Sequence, residues 1–295
     1  MKRFLSIVCV LMMALTIGIS ADAKKKEVCF QMYSVRDLIG DPGKYAQNHV
    51  TVLKQLADMG FTAVEAANYG DGKLYGVEPE QFKADIEAAG MKVMSSHVTR
   101  NLNDEELKSK NFTEALKWWD KCIDAHKRAG MQYMVIPWCS VPKTLADLQT
   151  ICDYYNQVGK KVAAAGMKLG YHSHSHEFQK VEGQVMEDYM IQHTDPNYLF
   201  FQMDVYWAVR GQVSPVAYFK KYPGRFTLLH IKDDNEIGQS GMVGFDAIFN
   251  NFDKAGAKGW VLELEHASTP DILKGMKESI DYIKKAKFVK ASYSK

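Results

Sequence analysis

The chain has 295 residues, of which 46% are hydrophobic and 24% are charged, and its formal net charge at pH 7 is only +2. This composition excludes an intrinsically disordered, collagen-like or disulfide-scaffold protein. It also argues against a nucleic-acid-binding protein, because binding to phosphates requires an excess of basic residues that this chain does not have.

The first 23 residues have the pattern of a secretory signal peptide. Lys2 and Arg3 precede an apolar run over residues 4–19, and Ala21 and Ala23 then form an A-x-A cleavage signal. The run is shorter than the roughly 20 apolar residues that a membrane span needs. We therefore expect a signal peptide over residues 1–23, a mature domain over residues 24–295, export to the periplasm, and no membrane anchor after cleavage.

The mature chain keeps four cysteines, which have neither a C-x-x-C pair nor a zinc-like spacing. They fall in predicted strands and helices, and we expect them to be buried thiols. One disulfide remains an alternative in an oxidising compartment. The four are Cys29, Cys122, Cys139 and Cys152.

Helices that end in glycine and lead into an apolar strand recur along the mature chain. A glycine at such a joint suits the left-handed residue that ends many helices. The joints are Met59-Gly60-Phe61, Ala89-Gly90-Met91, Ala129-Gly130-Met131, Ala165-Gly166-Met167 and Ala255-Gly256-Ala257. Helical patterns cover residues 45–59, 79–89, 104–129 and 145–165, and Asp41-Pro42-Gly43 predicts a turn before the first of them.

Eight apolar segments alternate with these helical stretches and read as buried parallel strands. In chain order they cover residues 28–33, 63–66, 92–97, 133–137, 168–172, 199–204, 226–231 and 260–264. Eight such units in one chain of this length predict a single-domain (β/α)8 TIM barrel. The alternative is an open doubly wound sheet, which is disfavoured because no G-x-G-x-x-G follows the first strand.

Nearly every predicted strand ends in a polar or aromatic group. The active site of a parallel barrel lies at the carboxyl ends of its strands, so these side chains are expected to converge at one mouth. In chain order they are Gln31, Tyr33, Glu65, His97, Trp138, His172, His174, His176, Glu177, Asp204, His230, Lys232, Glu263 and Glu265. Tyr69, Tyr206 and Trp207 add aromatic rings that can stack on sugar faces.

So many carboxylates and imidazoles in one barrel mouth would be electrostatically costly without a cation. Oxygen and imidazole ligands suit Mn²⁺, Mg²⁺, Co²⁺ or Zn²⁺. Glu263 and Glu265 share one face of the last strand, and Glu263 is favoured as the ligand because it lies closer to the strand interior. We therefore expect one bound divalent metal ion.

Five phrases of the sequence resemble the sugar phosphate isomerase/epimerase family, which has a xylose isomerase-like TIM barrel. The phrases are Gln31-Met32-Tyr33-Ser34-Val35-Arg36-Asp37, Gly170-Tyr171-His172-Ser173-His174 with Glu177-Phe178, Met203-Asp204-Val205-Tyr206-Trp207, Leu229-His230-Ile231-Lys232-Asp233 and Leu262-Glu263. The resemblance covers essentially the whole mature chain. The family includes tagatose/psicose epimerases, inosose dehydratases and 3-keto-glycoside lyases.

The resemblance implies that one divalent ion is held by groups at the ends of strands five to eight. Carried over to this chain, the ligands are Glu177, Asp204, His230 and Glu263. The epimerases place a glutamate on strand five itself, where this chain has His172, so the identity of the strand-five ligand remains open.

The resemblance also implies the roles of the other groups at the mouth. Glu177 and Glu263 are expected to act as the acid/base pair, with His174 and Lys232 in reserve. The expected substrate-binding groups are Gln31, Tyr33, Glu65, His97, Trp138, His172, Trp207 and Glu265.

The expected activity is that of a metal-dependent isomerase or epimerase acting on a non-phosphorylated sugar or keto-sugar. Proton abstraction α to a carbonyl would pass through a metal-stabilised enediolate. The main alternative is a lyase or dehydratase that cleaves 3-keto-glycosides by β-elimination. A nuclease of the endonuclease IV type and a sugar-binding barrel without turnover are the more distant ones. A small sugar is the expected partner, with neither nucleic acid nor membrane, and a homo-oligomer remains open.

Overall fold

The computed structural model describes residues 26–293, so the predicted signal peptide lies outside the described residues. Within them, eight parallel strands form a closed barrel in which each strand pairs with the next and the last pairs with the first. The strands are β1 (Cys29–Gln31), β2 (Ala63–Ala66), β3 (Lys92–His97), β4 (Tyr133–Ile136), β5 (Lys168–Ser173), β6 (Leu199–Asp204), β7 (Leu228–Ile231) and β8 (Gly259–Leu262). The predicted TIM barrel and the positions of its eight strands are confirmed.

Helices surround the barrel. Over residues 26–293 they are α1 (Arg36–Ile39), α2 (Pro42–Met59), α3 (Pro79–Ala88), α4 (Asp104–Ser109), α5 (Thr113–Arg128), α6 (Leu145–Ala164), α7 (Met186–His193), α8 (Val205–Arg210), α9 (Pro215–Lys221), α10 (Phe245–Phe249), α11 (Phe252–Ala255) and α12 (Ile272–Lys285). Short 3₁₀ helices cover Met32–Val35 and His176–Phe178, and two small hairpins begin at Tyr69–Gly70 and Lys180–Val181.

The predicted glycine joints all have a left-handed backbone. Gly60 has φ of 111° and its amide donates to the carbonyls of Leu56 and Ala57, which closes the end of α2. The other four joint glycines have φ between 77° and 86°. A residue with a Cβ atom is strained in this conformation, so glycine allows the chain to leave each helix and enter the next strand.

Two local predictions were wrong. Asp41-Pro42-Gly43 is not a separate turn, because Asp41 accepts a hydrogen bond from the Lys44 amide as the N-cap and Pro42 is the first residue of α2. The single helix predicted over residues 104–129 is two helices. Lys110 ends α4 in a left-handed conformation with φ of 55°, and α5 begins after a break.

The barrel interior is layered along the strand direction. On β6, Phe200, Gln202 and Asp204 share one face, since alternate residues of a strand point the same way. Phe200 packs with Val135 and Leu228 in a small apolar cluster separate from the main core. The interior therefore changes from apolar at the amino ends of the strands, through Gln202, to acidic at their carboxyl ends.

The four cysteines of residues 26–293 are buried free thiols, as expected. None of the helices in this range combines the length and the apolar character required to cross a membrane.

Candidate metal centre

Four ligand groups from neighbouring strands meet beneath the barrel mouth. His172 lies on β5, Asp204 ends β6, His230 lies on β7, and Glu263 directly follows β8. Their ligand atoms all lie within 4.8 Å of one another, and all four residues are at most 5% exposed. This arrangement follows from the closed barrel, which brings the carboxyl ends of sequential strands to one edge.

Asp204 has a buried oxygen that no group in residues 26–293 hydrogen-bonds. Its Oδ1 accepts from the backbone amides of Tyr206 and Trp207, each at 2.9 Å, and this caps α8. Its Oδ2 is buried without a hydrogen-bond partner and lies 3.9 Å from Nδ1 of His230. Buried polar atoms are nearly always paired, so an unpaired carboxylate oxygen beside two imidazoles and a second carboxylate fits a divalent cation site.

His230 lies between two glutamates. Its Nε2 is 2.6 Å from Oε1 of Glu65, and its Nδ1 is 3.2 Å from Oε2 of Glu263. The fully buried Glu65 carboxylate also accepts from Gln31 and from Ser95. Because Glu65 occupies Nε2, the nitrogen left for a metal is Nδ1, and a carboxylate behind a ligating imidazole is a common way of fixing its orientation.

Gln202 connects this carboxylate to two further imidazoles. Its Nε2 donates to Oε2 of Glu65 at 2.9 Å. Its Oε1 lies 2.8 Å from Nε2 of His97 and 3.0 Å from Nδ1 of His172, where it accepts from both rings. Sequence reasoning missed Gln202, although a polar residue two positions before Asp204 in an otherwise apolar strand was a signal that it faces the same interior.

The ionisation of the cluster is set by burial and by close charges. Burial raises the pKa of Asp204 to about 7, and the negative charge of Glu263 adds to this effect. Burial alone would lower the pKa of His230, but the charges of Glu65 and Glu263 raise it to about 10. A protonated His230 thus offsets its two carboxylates when no metal is bound, and a divalent ion must displace that proton to bind at Nδ1.

Glu177 is not part of this cluster. It is fully buried in the 3₁₀ turn after β5, where its Oε1 accepts from the Tyr171 hydroxyl at 2.7 Å and its Oε2 accepts from the His174 amide at 2.8 Å. The structure therefore brings together three of the four expected ligands and places His172, not Glu177, beside them. Sequence reasoning missed Tyr171, whose hydroxyl holds Glu177 away.

The second glutamate after β8 and the lysine after β7 lie beside the cluster. Nζ of Lys232 is 3.7 Å from Oε2 of Glu265 and 4.4 Å from the centroid of the Tyr206 ring, and it donates to the Asp233 carbonyl. Lys232 is only 2% exposed. Glu265 is thus paired with a buried ammonium group, and of the two glutamates only Glu263 belongs to the four ligand groups.

The predicted aromatic groups of the mouth separate into two classes. Tyr33 and Trp138 are each 47% exposed, whereas Trp207 is partly buried. Tyr69 does not join them, because it lies in the hairpin after β2 and packs edge-on against Trp118 of α5, with ring centroids 5.5 Å apart. The structure therefore leaves two aromatic faces accessible beside the mouth.

A cavity of about 260 Å³ lies at the opposite end of the barrel. It is lined by residues that begin strands, including Cys29, Ala63, Lys92, Tyr133 and Gly259. None of the described residues with metal-ligating geometry lies there, so the candidate chemistry is at the mouth.

Comparison with known proteins gives a consistent result. The family model described as the xylose isomerase-like TIM barrel matches residues 53–286. A solved sugar phosphate isomerase/epimerase from Parabacteroides distasonis ATCC 8503 is similar over 93% of this chain and 99% of that chain, with 32% identity and a TM-score of 0.84.

Two more distant relatives are also similar. Inosose dehydratase from Geobacillus kaustophilus (strain HTA426) is 23% identical over 215 residues, which are 67% of this chain and 65% of the relative, so the chain spans just under two thirds of that curated relative. The IOLI protein, solved with a binding zinc atom, shares the fold with a TM-score of 0.65 and 13% identity over 87% of this chain and 96% of that chain.

Proposed function

The chain belongs to the xylose isomerase-like TIM barrel family, and from that premise we propose that it is a divalent-metal-dependent sugar isomerase or epimerase. The observation that carries the proposal is the cluster of His172, Asp204, His230 and Glu263, with its unpaired Asp204 oxygen. A divalent ion held there supplies Lewis-acid stabilisation of the negative charge that develops on adjacent substrate oxygens.

Glu263 is the general base in this proposal. Burial would raise its pKa, but the His230 charge holds the pKa below its ordinary value, so Glu263 is ionised at neutral pH. It then accepts the proton from the carbon next to the substrate carbonyl. Lys232, a buried ammonium group beside the mouth, is the proton donor; proton return to the other face gives epimerisation, and return to the neighbouring carbon gives isomerisation.

The remaining polar groups position this machinery. Glu65 orients the ring of His230, Gln202 orients the ring of His172, and Gln31 donates to Glu65. These side chains therefore position the metal ligands and do not contact the substrate. This assignment replaces the substrate-binding role that the sequence suggested for Gln31, Glu65 and His172.

The exposed rings of Tyr33 and Trp138 support a non-phosphorylated sugar or keto-sugar as the substrate, because aromatic faces at the mouth can stack on the apolar face of a sugar. We also propose that the protein acts after export, on the basis of its amino-terminal sequence. Turnover of a keto-sugar and of its phosphate ester should be compared, and a preference for the ester would contradict this substrate class.

Two measurements test the activity. Chelator-treated protein should melt at a temperature lower by roughly 5 °C or more than protein saturated with Mn²⁺ or Zn²⁺, because a ligand that binds only the folded state stabilises it. Glu263→Gln should reduce kcat by about 10²- to 10⁴-fold on ketohexose substrates, the range expected for loss of a general base. Glu278→Gln, on the exposed face of α12, is the matched control. Full turnover by Glu263→Gln would contradict the assignment.

The similarity to inosose dehydratase supports a lyase or dehydratase as the second candidate. Both reactions begin with the same proton abstraction, and they differ in whether a group leaves from the β-carbon. Incubation in D₂O with ketohexoses and 3-keto-glucosides distinguishes them. Deuterium in recovered sugar indicates epimerisation, whereas loss of the aglycone or of water indicates elimination.

A further inference from the structure

A second group of ligand side chains lies in the segment that follows β5. His174, His176 and Glu177 each offer a ligand atom, and these three atoms lie within 4.8 Å of one another. The group has no residue in common with the first site, the cluster of His172, Asp204, His230 and Glu263. Its three residues lie within four consecutive positions, where β5 leads into the 3₁₀ turn, so a short segment of the chain brings them together.

Existing contacts account for only part of this group. Nε2 of His176 is 3.1 Å from Oε1 of Glu177 and 3.0 Å from the Cys139 carbonyl oxygen. Nδ1 of His174, in contrast, is buried and has no hydrogen-bond partner in residues 26–293. Buried nitrogen atoms rarely stay unpaired, and such an exception is one mark of a missing ion or water. The first site likewise contains a buried atom without a hydrogen-bond partner in the described part of the chain, Oδ2 of Asp204.

The Glu177 carboxylate is held in place by groups that do not compete for all of its lone pairs. The Tyr171 hydroxyl donates to Oε1, which also lies 3.1 Å from Nε2 of His176, whereas the His174 amide donates to Oε2, which keeps a second acceptor position. Hydrogen bonds of this kind orient ligating carboxylates in metal sites. The same contacts that remove Glu177 from the first site therefore fix it beside the two histidines.

We propose that His174, His176 and Glu177 form a second divalent cation site, separate from the first, that selects a zinc-like ion. Two imidazoles and one carboxylate are a donor set that zinc accepts, whereas Mg²⁺ and Ca²⁺ prefer oxygen ligands. Three protein ligands leave a fourth position open for water or a substrate oxygen, as in catalytic zinc sites. The ring centroids of His172 and His174 are 4.5 Å apart, so the second site adjoins the first.

The test is the zinc stoichiometry of the full chain. Protein stripped with chelator is dialysed against buffered Zn²⁺, and bound zinc per chain is measured by elemental analysis. We expect two zinc ions per wild-type chain, one in His176→Ala, one in Asp204→Asn, and none in the double variant. His193→Ala is the matched control, because His193 contacts the Tyr189 carbonyl on α7 and belongs to neither site; it should bind two.

The outcomes separate this proposal from the proposed function. A wild-type chain that binds one zinc, lost in Asp204→Asn and kept in His176→Ala, overturns the second site and leaves the first standing. A chain that binds no zinc overturns the second site, and the first site is overturned as well if the same chain does not bind Mn²⁺. If His176→Ala does not fold, Co²⁺ titration of the wild type decides, because a second saturable step in the visible d–d absorption is expected and a single step overturns the proposal.

Discussion

Glu65 provides the sharpest test of how the first site is built. The substitution Glu65→Gln keeps the size of the side chain but removes its charge and replaces one acceptor oxygen with a donor. The wild-type carboxylate accepts from Gln31 and lies against His230 at one oxygen, and it accepts from Ser95 and Gln202 at the other. Whichever way the new amide is turned, its NH₂ group faces at least two donors.

Two effects should follow, and both have a magnitude. The Nε2–H of His230 loses its charged acceptor, so the ring is no longer fixed with Nδ1 toward the metal, and loss of such a partner typically weakens metal affinity 10- to 100-fold. In the metal-free protein the protonated His230 loses one of the two carboxylates that surround it. Removing one partner of a buried ion pair costs about 3–5 kcal/mol of unfolding free energy.

Metal affinity should be measured by competition with a chromogenic chelator, and unfolding free energy by urea denaturation of the metal-free protein. Glu106→Gln is the matched control, since Glu106 is also buried and charge-paired, but with Arg100 in the cap of α4. It should lose stability without losing metal affinity. A folded Glu65→Gln protein whose metal affinity stays within about twofold of the wild type would refute the orienting role of Glu65.

Three further predictions concern stability and processing. Burial lowers the pKa of His126 to about 4, so below pH 6.5 the unfolded chain binds a proton at this residue that the folded chain does not. The unfolding free energy should therefore fall by up to about 3 kcal/mol between pH 6.5 and 4. Denaturant titrations of His126→Gln should show a shallower decline over the same pH range. Gly159→Ala should lower Tm by roughly 2–10 °C, because the added Cβ would overlap the backbone carbonyl of Tyr198. The control Gly43→Ala, in the first turn of α2, should leave Tm unchanged or slightly raised. Equal Tm values for the two variants would contradict the packing argument. Protein recovered from the periplasm should begin at residue 24, and Edman sequencing that finds the original Met1 would exclude cleavage after Ala23.

Local pattern was enough to place the strands and most of the chemistry. Apolar runs located all eight strands, and helix-ending glycines marked the approach to five of them. Both signals lie in consecutive residues, because a parallel strand is buried on both faces and the left-handed glycine directly follows its helix. The residues at the ends of β6, β7 and β8 could therefore be placed at one mouth. Asp204, His230 and Glu263 do meet there.

Which side chain completes that set was decided by contacts between distant residues. His172 lies on β5 and Glu177 follows it within a few residues. The Tyr171 hydroxyl holds Glu177 away from the cluster, and the buried Gln202 amide orients His172 toward it. Glu65 likewise looked like a substrate ligand until the closed barrel placed His230 against it, 165 residues away. A strand end is a property of local sequence, but the direction of the side chain beyond it depends on hydrogen-bond partners that only the tertiary structure supplies.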